Sequence, residues 1–161
     1  MKKSFFVIFC VVGCFLIEGV LSVIFGRWFS PNLLIILVVF FNLFRGIRYS
    51  LAAAFLAGLL KDSFSPNLFG LNIFSFLLCA YLTTFIKMYI YHSGSVVLRM
   101  FLVFVISLIN IIIHYILTLM VASIPFGEMF VHLLLPEVTA TVIITNYAFK
   151  KFKECALKLF V

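Results

Sequence analysis

Five carboxylates and three histidines are the side chains of this chain whose ordinary pKa lies below 7. Glu18, Asp62, His114, His132 and Glu137 lie in or at the ends of long apolar runs. An ionisable side chain in hydrocarbon is expensive, so each is a candidate for chemistry. Metal binding is one possibility: Glu128 and His132 share an i,i+4 face. No H-E-x-x-H or Cys/His pattern accompanies them, and no metal is expected. Proton or substrate transport would use the same residues. The simpler use is hydrogen bonding to one another, to Tyr115, Thr139 or Thr141, or to a partner's helix, which would hold a bundle together. No G-x-S-x-G, P-loop or GxGxxG motif is present, and no loop is large enough to build a catalytic face. The sequence predicts no enzyme and no cofactor. Cys10, Cys14, Cys79 and Cys155 are scattered as small apolar side chains would be, without disulfide spacing.

The elements that must position these residues follow from composition. Of 161 residues, 66% are hydrophobic, 11% are charged and 22 are Phe. So few polar residues cannot cover a water-soluble globule, and disorder requires low hydrophobicity. The net charge of +7 then reports membrane orientation and anionic headgroups, and no nucleic acid is implied.

Six apolar runs predict an all-α integral membrane protein, a single polytopic domain over 1–161. Its helices are expected near 4–26, 28–44, 49–64, 71–91, 100–124 and 129–149, with a basic cytoplasmic tail over 150–161. The first run imitates a signal peptide but lacks an A-x-A-like site, and reads as an uncleaved helix. Runs two and three are short, about 24–26 Å of helix against a hydrocarbon core of about 30 Å. A re-entrant hairpin is the competing arrangement. It would put Arg45 and Arg48 at mid-bilayer, at about 2.5–3.5 kcal/mol each. With six spans, Arg27 and Lys61 fall on one side and the other ten of the twelve Lys and Arg on the opposite side. That asymmetry places both termini in the cytoplasm.

Counting along each helix puts Glu18, Asp62, His114, His132 and Glu137 at similar depth, from mid-bilayer through the outer half. Pro136, inside the sixth run, should kink it and free a carbonyl near His132. Ala53-xxx-Ala57 and Ala54-xxx-Gly58 form a small-residue face for close packing, either within the chain or against another. Lys61 is positioned to pair locally with Asp62. In the tail, Glu154 and Lys158 are spaced i,i+4, and the segment either lies along the membrane surface or is a solvated end.

Between residues 31 and 82 the order of features resembles a known family. Pro31-Asn32-Leu33-Leu34-Ile35 opens the second helix, and Gly58-Leu59-Leu60-Lys61-Asp62 closes the third. Ser65-Pro66, Leu68-Phe69-Gly70-Leu71 and Ala80-Tyr81-Leu82 follow. This is similar to MreD, the small polytopic rod-shape-determining proteins of bacteria, with Pro31, Gly58, Asp62 and Gly70 as signature positions. The resemblance implies a non-catalytic scaffold of the cell-elongation complex in the bacterial cytoplasmic membrane. Its partners would be an MreC-like bitopic protein, with MreB, RodA and a class B penicillin-binding protein as complex members, and its role would be to support lateral peptidoglycan synthesis. The family also resembles in architecture the S components of ECF vitamin transporters, which supplies the alternative of a ligand-binding subunit. The A-x-x-x-A docking motif usual on their first helix is replaced here by Cys10-xxx-Cys14, which counts against transport.

Overall fold

The computed structural model describes residues 2–26, 31–65, 69–90, 95–119 and 135–160. Among them are six helices and no strand: α1 (Lys2–Phe25), α2 (Leu33–Arg45), α3 (Ile47–Phe64), α4 (Leu71–Ile90), α5 (Val96–Leu119) and α6 (Leu135–Phe160). Within α1, α4 and α5, the segments Phe6–Phe25, Leu71–Tyr89 and Val96–Leu117 are long and apolar enough to cross a bilayer.

Local chemistry explains where the helices differ from the expected bounds. The second starts at Leu33 because the Asn32 side chain caps it, accepting from the Ile35 amide at 3.2 Å. It stops at Gly46, whose φ of +88° an L side chain rarely adopts. The same glycine opens α3, so two helices share one hinge residue. In α5 the start moves back to Val96, since Ser95 accepts from the amides of Leu98 and Arg99. Arg99 therefore lies within the helix and not ahead of it.

Pro136 is in the first turn of α6 as described. The kink expected at Pro136 concerns residues 129–134 as well, and these lie outside the described residues. The helix then runs unbroken through Lys150 to Phe160, 26 residues and about 39 Å. The basic tail thus continues the last helix and is not a separate segment. Glu154 pairs with Lys151 at 3.5 Å, one turn back; the side chain of Lys158, its expected partner, lies outside the described residues.

The bundle is built around α2. All residues from Leu33 to Asn42 are buried, and α1, α3, α4, α5 and α6 all pack on it. A helix apolar on every side is stable only when enclosed in this way. Near its C-terminal end Phe40 meets Phe41, Phe44, Phe149 and Phe152 with ring centroids 4.8–5.8 Å apart, which ties α6 to α2. The Arg99 guanidinium lies 5.6 Å from the centre of the Phe149 ring. Large apolar side chains on α1, α4 and α5, such as Phe9, Val23, Phe85 and Phe101, face outward.

The α3–α4 pair is the closest contact. Ala53, Ala54 and Ala57 are wholly buried, so the small-residue face of α3 is turned into the chain's own bundle. A Cβ on Gly58 would stand 2.4 Å from the Ile73 Cα and 2.7 Å from its backbone nitrogen. Backbone cannot yield as a side-chain tip can. Gly58→Ala should therefore destabilise the fold by about 1–3 kcal/mol, read as a lower unfolding midpoint in detergent. Gly13→Ala, with nothing within 4 Å of its Cβ, should leave the midpoint nearly unchanged.

Candidate functional site

A 13-residue helix is about 20 Å long, roughly 10 Å short of the hydrocarbon thickness. Its unpaired N–H and C=O groups then fall where water is scarce. Glu18, Asn32, Lys61, Glu137 and Thr141 gather at one of these ends, and Asn42 and Lys87 at the other.

At the N-terminal end Asn32, 2% exposed, is the hub. Its backbone N–H donates to Thr141 Oγ1 at 3.0 Å, and its Nδ2 donates to Glu137 Oε1 at 2.9 Å. Thr141 in turn donates to the Glu137 carbonyl at 2.6 Å. From α1, Glu18 Oε2 accepts from the Leu34 amide at 3.5 Å, and Oε1 accepts from Lys61 Nζ at 3.0 Å. The Lys61 ammonium lies 5.7 Å from the centre of the Phe76 ring and within electrostatic reach of Glu137 and His114. Two carboxylates, one ammonium and the positive end of a helix dipole thus share one location. Negative charge there stabilises the dipole.

Lys61 pairs with Glu18, 43 residues away, and not with its neighbour Asp62. Consecutive helical residues point in different directions, so adjacency in sequence did not bring the two side chains together. Asp62 has another task. Its Oδ1 accepts from the Asn72 amide at 3.0 Å and from Asn72 Nδ2 at 2.8 Å; its Oδ2 accepts from the amides of Gly70 and Ile73 at 2.9 and 3.1 Å. One buried carboxylate therefore caps the start of α4 from the end of α3. Gly70, at φ +105°, permits the backbone to turn there. Gly58, Asp62 and Gly70 are three parts of one device, a close-packed helical hairpin. Pro31 is buried just ahead of the Asn32 cap.

The opposite end of α2 is closed by a cation. Lys87 Nζ donates to the carbonyls of Asn42 and Leu43 at 3.0 and 3.1 Å, which suits the negative end of the dipole. Asn42 Nδ2 donates to the Ala80 carbonyl and to Thr84 Oγ1, both at 2.8 Å, joining α2 to α4. Between α4 and α5, Ser75 donates to Asn110 Oδ1 at 2.6 Å.

Of the residues expected to form a polar network, Glu18 and Glu137 meet the two faces of the same helix end. His114, on α5, is half-buried and feels the charges of Lys61 and Asp62. His132 and Glu128 lie outside the described residues. Asn32, Asn42 and Lys87 are functional side chains that sequence reasoning passed over, and Lys61 was expected to pair with Asp62 and not with Glu18. Only the Asn32 cap carried a local signal, its position between a proline and an apolar run.

A family model described as rod shape-determining protein MreD matches residues 1–149. The chain belongs to the MreD family. No curated protein and no solved structure matches it. Membership carries a role in rod-shape determination within the cell-elongation machinery, and the family consists of non-catalytic membrane proteins. The chain is accordingly a multi-pass membrane protein and not an enzyme.

Lys61 lies near two carboxylates, whereas Glu18 has one ammonium and one amide. Removing the shared cation should therefore be the worse lesion. Lys61→Met should lower stability by about 1–3 kcal/mol, the cost of leaving part-buried carboxylates without their charged hydrogen-bond donor, and Glu18→Gln by less. The double variant should recover part of the Lys61→Met loss. Unfolding in mixed micelles measures all three.

Proposed function

We propose that the chain is a single polytopic domain of six spans in the bacterial cytoplasmic membrane, with both termini on the cytoplasmic side. It acts as a scaffold that binds an MreC-like bitopic partner through helix faces. Through that partner it supports lateral peptidoglycan synthesis alongside MreB, RodA and a class B penicillin-binding protein.

The observation that carries this reading is where the intramembrane polar groups are engaged. Glu18, Asp62, Glu137 and Asn32 bond to helix ends and side chains of the chain itself, which leaves broad outward faces of apolar and aromatic side chains for recognition. The signature residues Gly58, Asp62 and Gly70 support the same reading, because they shape the hairpin that presents those faces. Orientation is supported by charge. Arg45 and Lys87 sit at the C-terminal end of α2, where Arg99 stacks on Phe149 just before Lys150. Lys61 is at the other end, paired.

The likeness to vitamin-transporter S components is read as one of architecture. A ligand-binding subunit would keep its outer-half polar groups available to a solute, and Glu18 and Glu137 are engaged by Lys61 and Asn32 instead.

Extraction in mild detergent followed by affinity purification tests the proposal. Co-elution of an MreC-like protein is expected, with Glu137→Gln and Lys61→Met reducing it only as far as they reduce the folded fraction. Recovery of the chain alone, or with an energy-coupling transporter module and a retained vitamin-like solute, contradicts it.

A further inference from the structure

Tyr81 occupies the middle of the α4 span Leu71–Tyr89, about 15 Å from one end and about 12 Å from the other at 1.5 Å per residue. It faces outward, 66% exposed. Among the described residues its hydroxyl has no hydrogen-bond partner. Tyrosine at the end of a span reaches the headgroup region, as Tyr89 can from its position. From the centre, a phenol is too short to reach water, and an unbonded hydroxyl in hydrocarbon is unfavourable. A lone monomer in lipid thus leaves this group unsatisfied.

The residues around it form a regular line. Phe74, Tyr81, Phe85 and Met88 are exposed and Leu78 is half-buried. The positions 74, 78, 81, 85 and 88 alternate steps of four and three, the spacing of a seam between two helices crossing at a shallow left-handed angle. The seam carries no charge. Lys87, the one charged residue of α4, is turned to the carbonyls of α2.

We propose that α4 is a self-association surface, on which two copies of this chain pair about a twofold axis along the membrane normal. Copies inserted in the same orientation bring equal depths together, so each Tyr81 meets its own counterpart. A phenol hydroxyl both donates and accepts, and the two can bond to each other. An unlike helix would have to supply an acceptor at that depth as an extra requirement. A second copy supplies it by symmetry. The absence of charge along the seam lets identical surfaces meet without repulsion.

Cysteine cross-linking in native membranes tests the pairing, using the full chain with Cys10→Ala and Cys155→Ser. Phe74→Cys and Met88→Cys, near opposite ends of the seam, should each give disulfide-linked dimers on mild oxidation. Phe101→Cys, exposed on α5, should not. In phosphatidylethanolamine–phosphatidylglycerol vesicles, energy transfer between labelled copies should show Tyr81→Phe weakening dimerisation about threefold, the usual size of one interhelical hydrogen bond in lipid. Phe101→Leu should leave it unchanged. Three results overturn the proposal: no cross-link at either seam position, cross-linking equally efficient at Phe101, or seam adducts whose mass is that of another protein.

Discussion

A helix shorter than the bilayer core must find protein partners for both of its ends. That constraint organises the molecule. The 13 residues of α2 are apolar enough to vanish into a bundle, but the amides of Leu34 and Ile35 and the carbonyls of Asn42 and Leu43 cannot be left to lipid. Asn32, Glu18 and Lys87 answer that requirement directly. Lys61, Glu137 and Thr141 hold those three in place. The signs of charge follow the helix dipole, anionic where the amides point out and cationic where the carbonyls do. The same device recurs at α4, where Asp62 supplies the anion.

From this three of the residues expected to carry the family resemblance take on a physical meaning. Gly58 lets two helix backbones approach, Gly70 lets the chain reverse, and Asp62 closes the amides that the reversal exposes. None of the three needs to touch another protein to be indispensable. What is left for recognition is the outward surface. A non-catalytic subunit of the elongation machinery has no need of more, since membrane helices recognise one another by shape and by sparse hydrogen bonds.

Much of the fold was legible because composition and apolar runs are strong signals. The helices near 4–26 and 71–91 were readable as long uninterrupted stretches. Boundaries were less so where a single residue decided them. Ser95 moved the start of α5 ahead of Arg99, and Gly46 joined α2 directly to α3. For the site, Glu18, Asp62 and Glu137 stood out because charge in an apolar run is conspicuous. Their partners did not. Asn32 meets Glu137 across 105 residues and Lys61 meets Glu18 across 43, distances over which spacing carries no information. Lys61 beside Asp62 suggested a pair that helix geometry forbids. The alanine face of α3 announced close packing, yet only the fold reveals that it is turned inward, to the bundle.

The claim at the centre of this account is that α2 is the best-protected element because both of its ends are capped by side chains from other helices. Amide hydrogen exchange of the reconstituted chain, resolved by segment, tests it most directly. The account predicts that Leu33–Asn42 exchanges most slowly of all, and that Asn32→Ala accelerates exchange along that segment while leaving α1 nearly unaffected. Exchange in α2 as fast as in α1, or unchanged by Asn32→Ala, would contradict it.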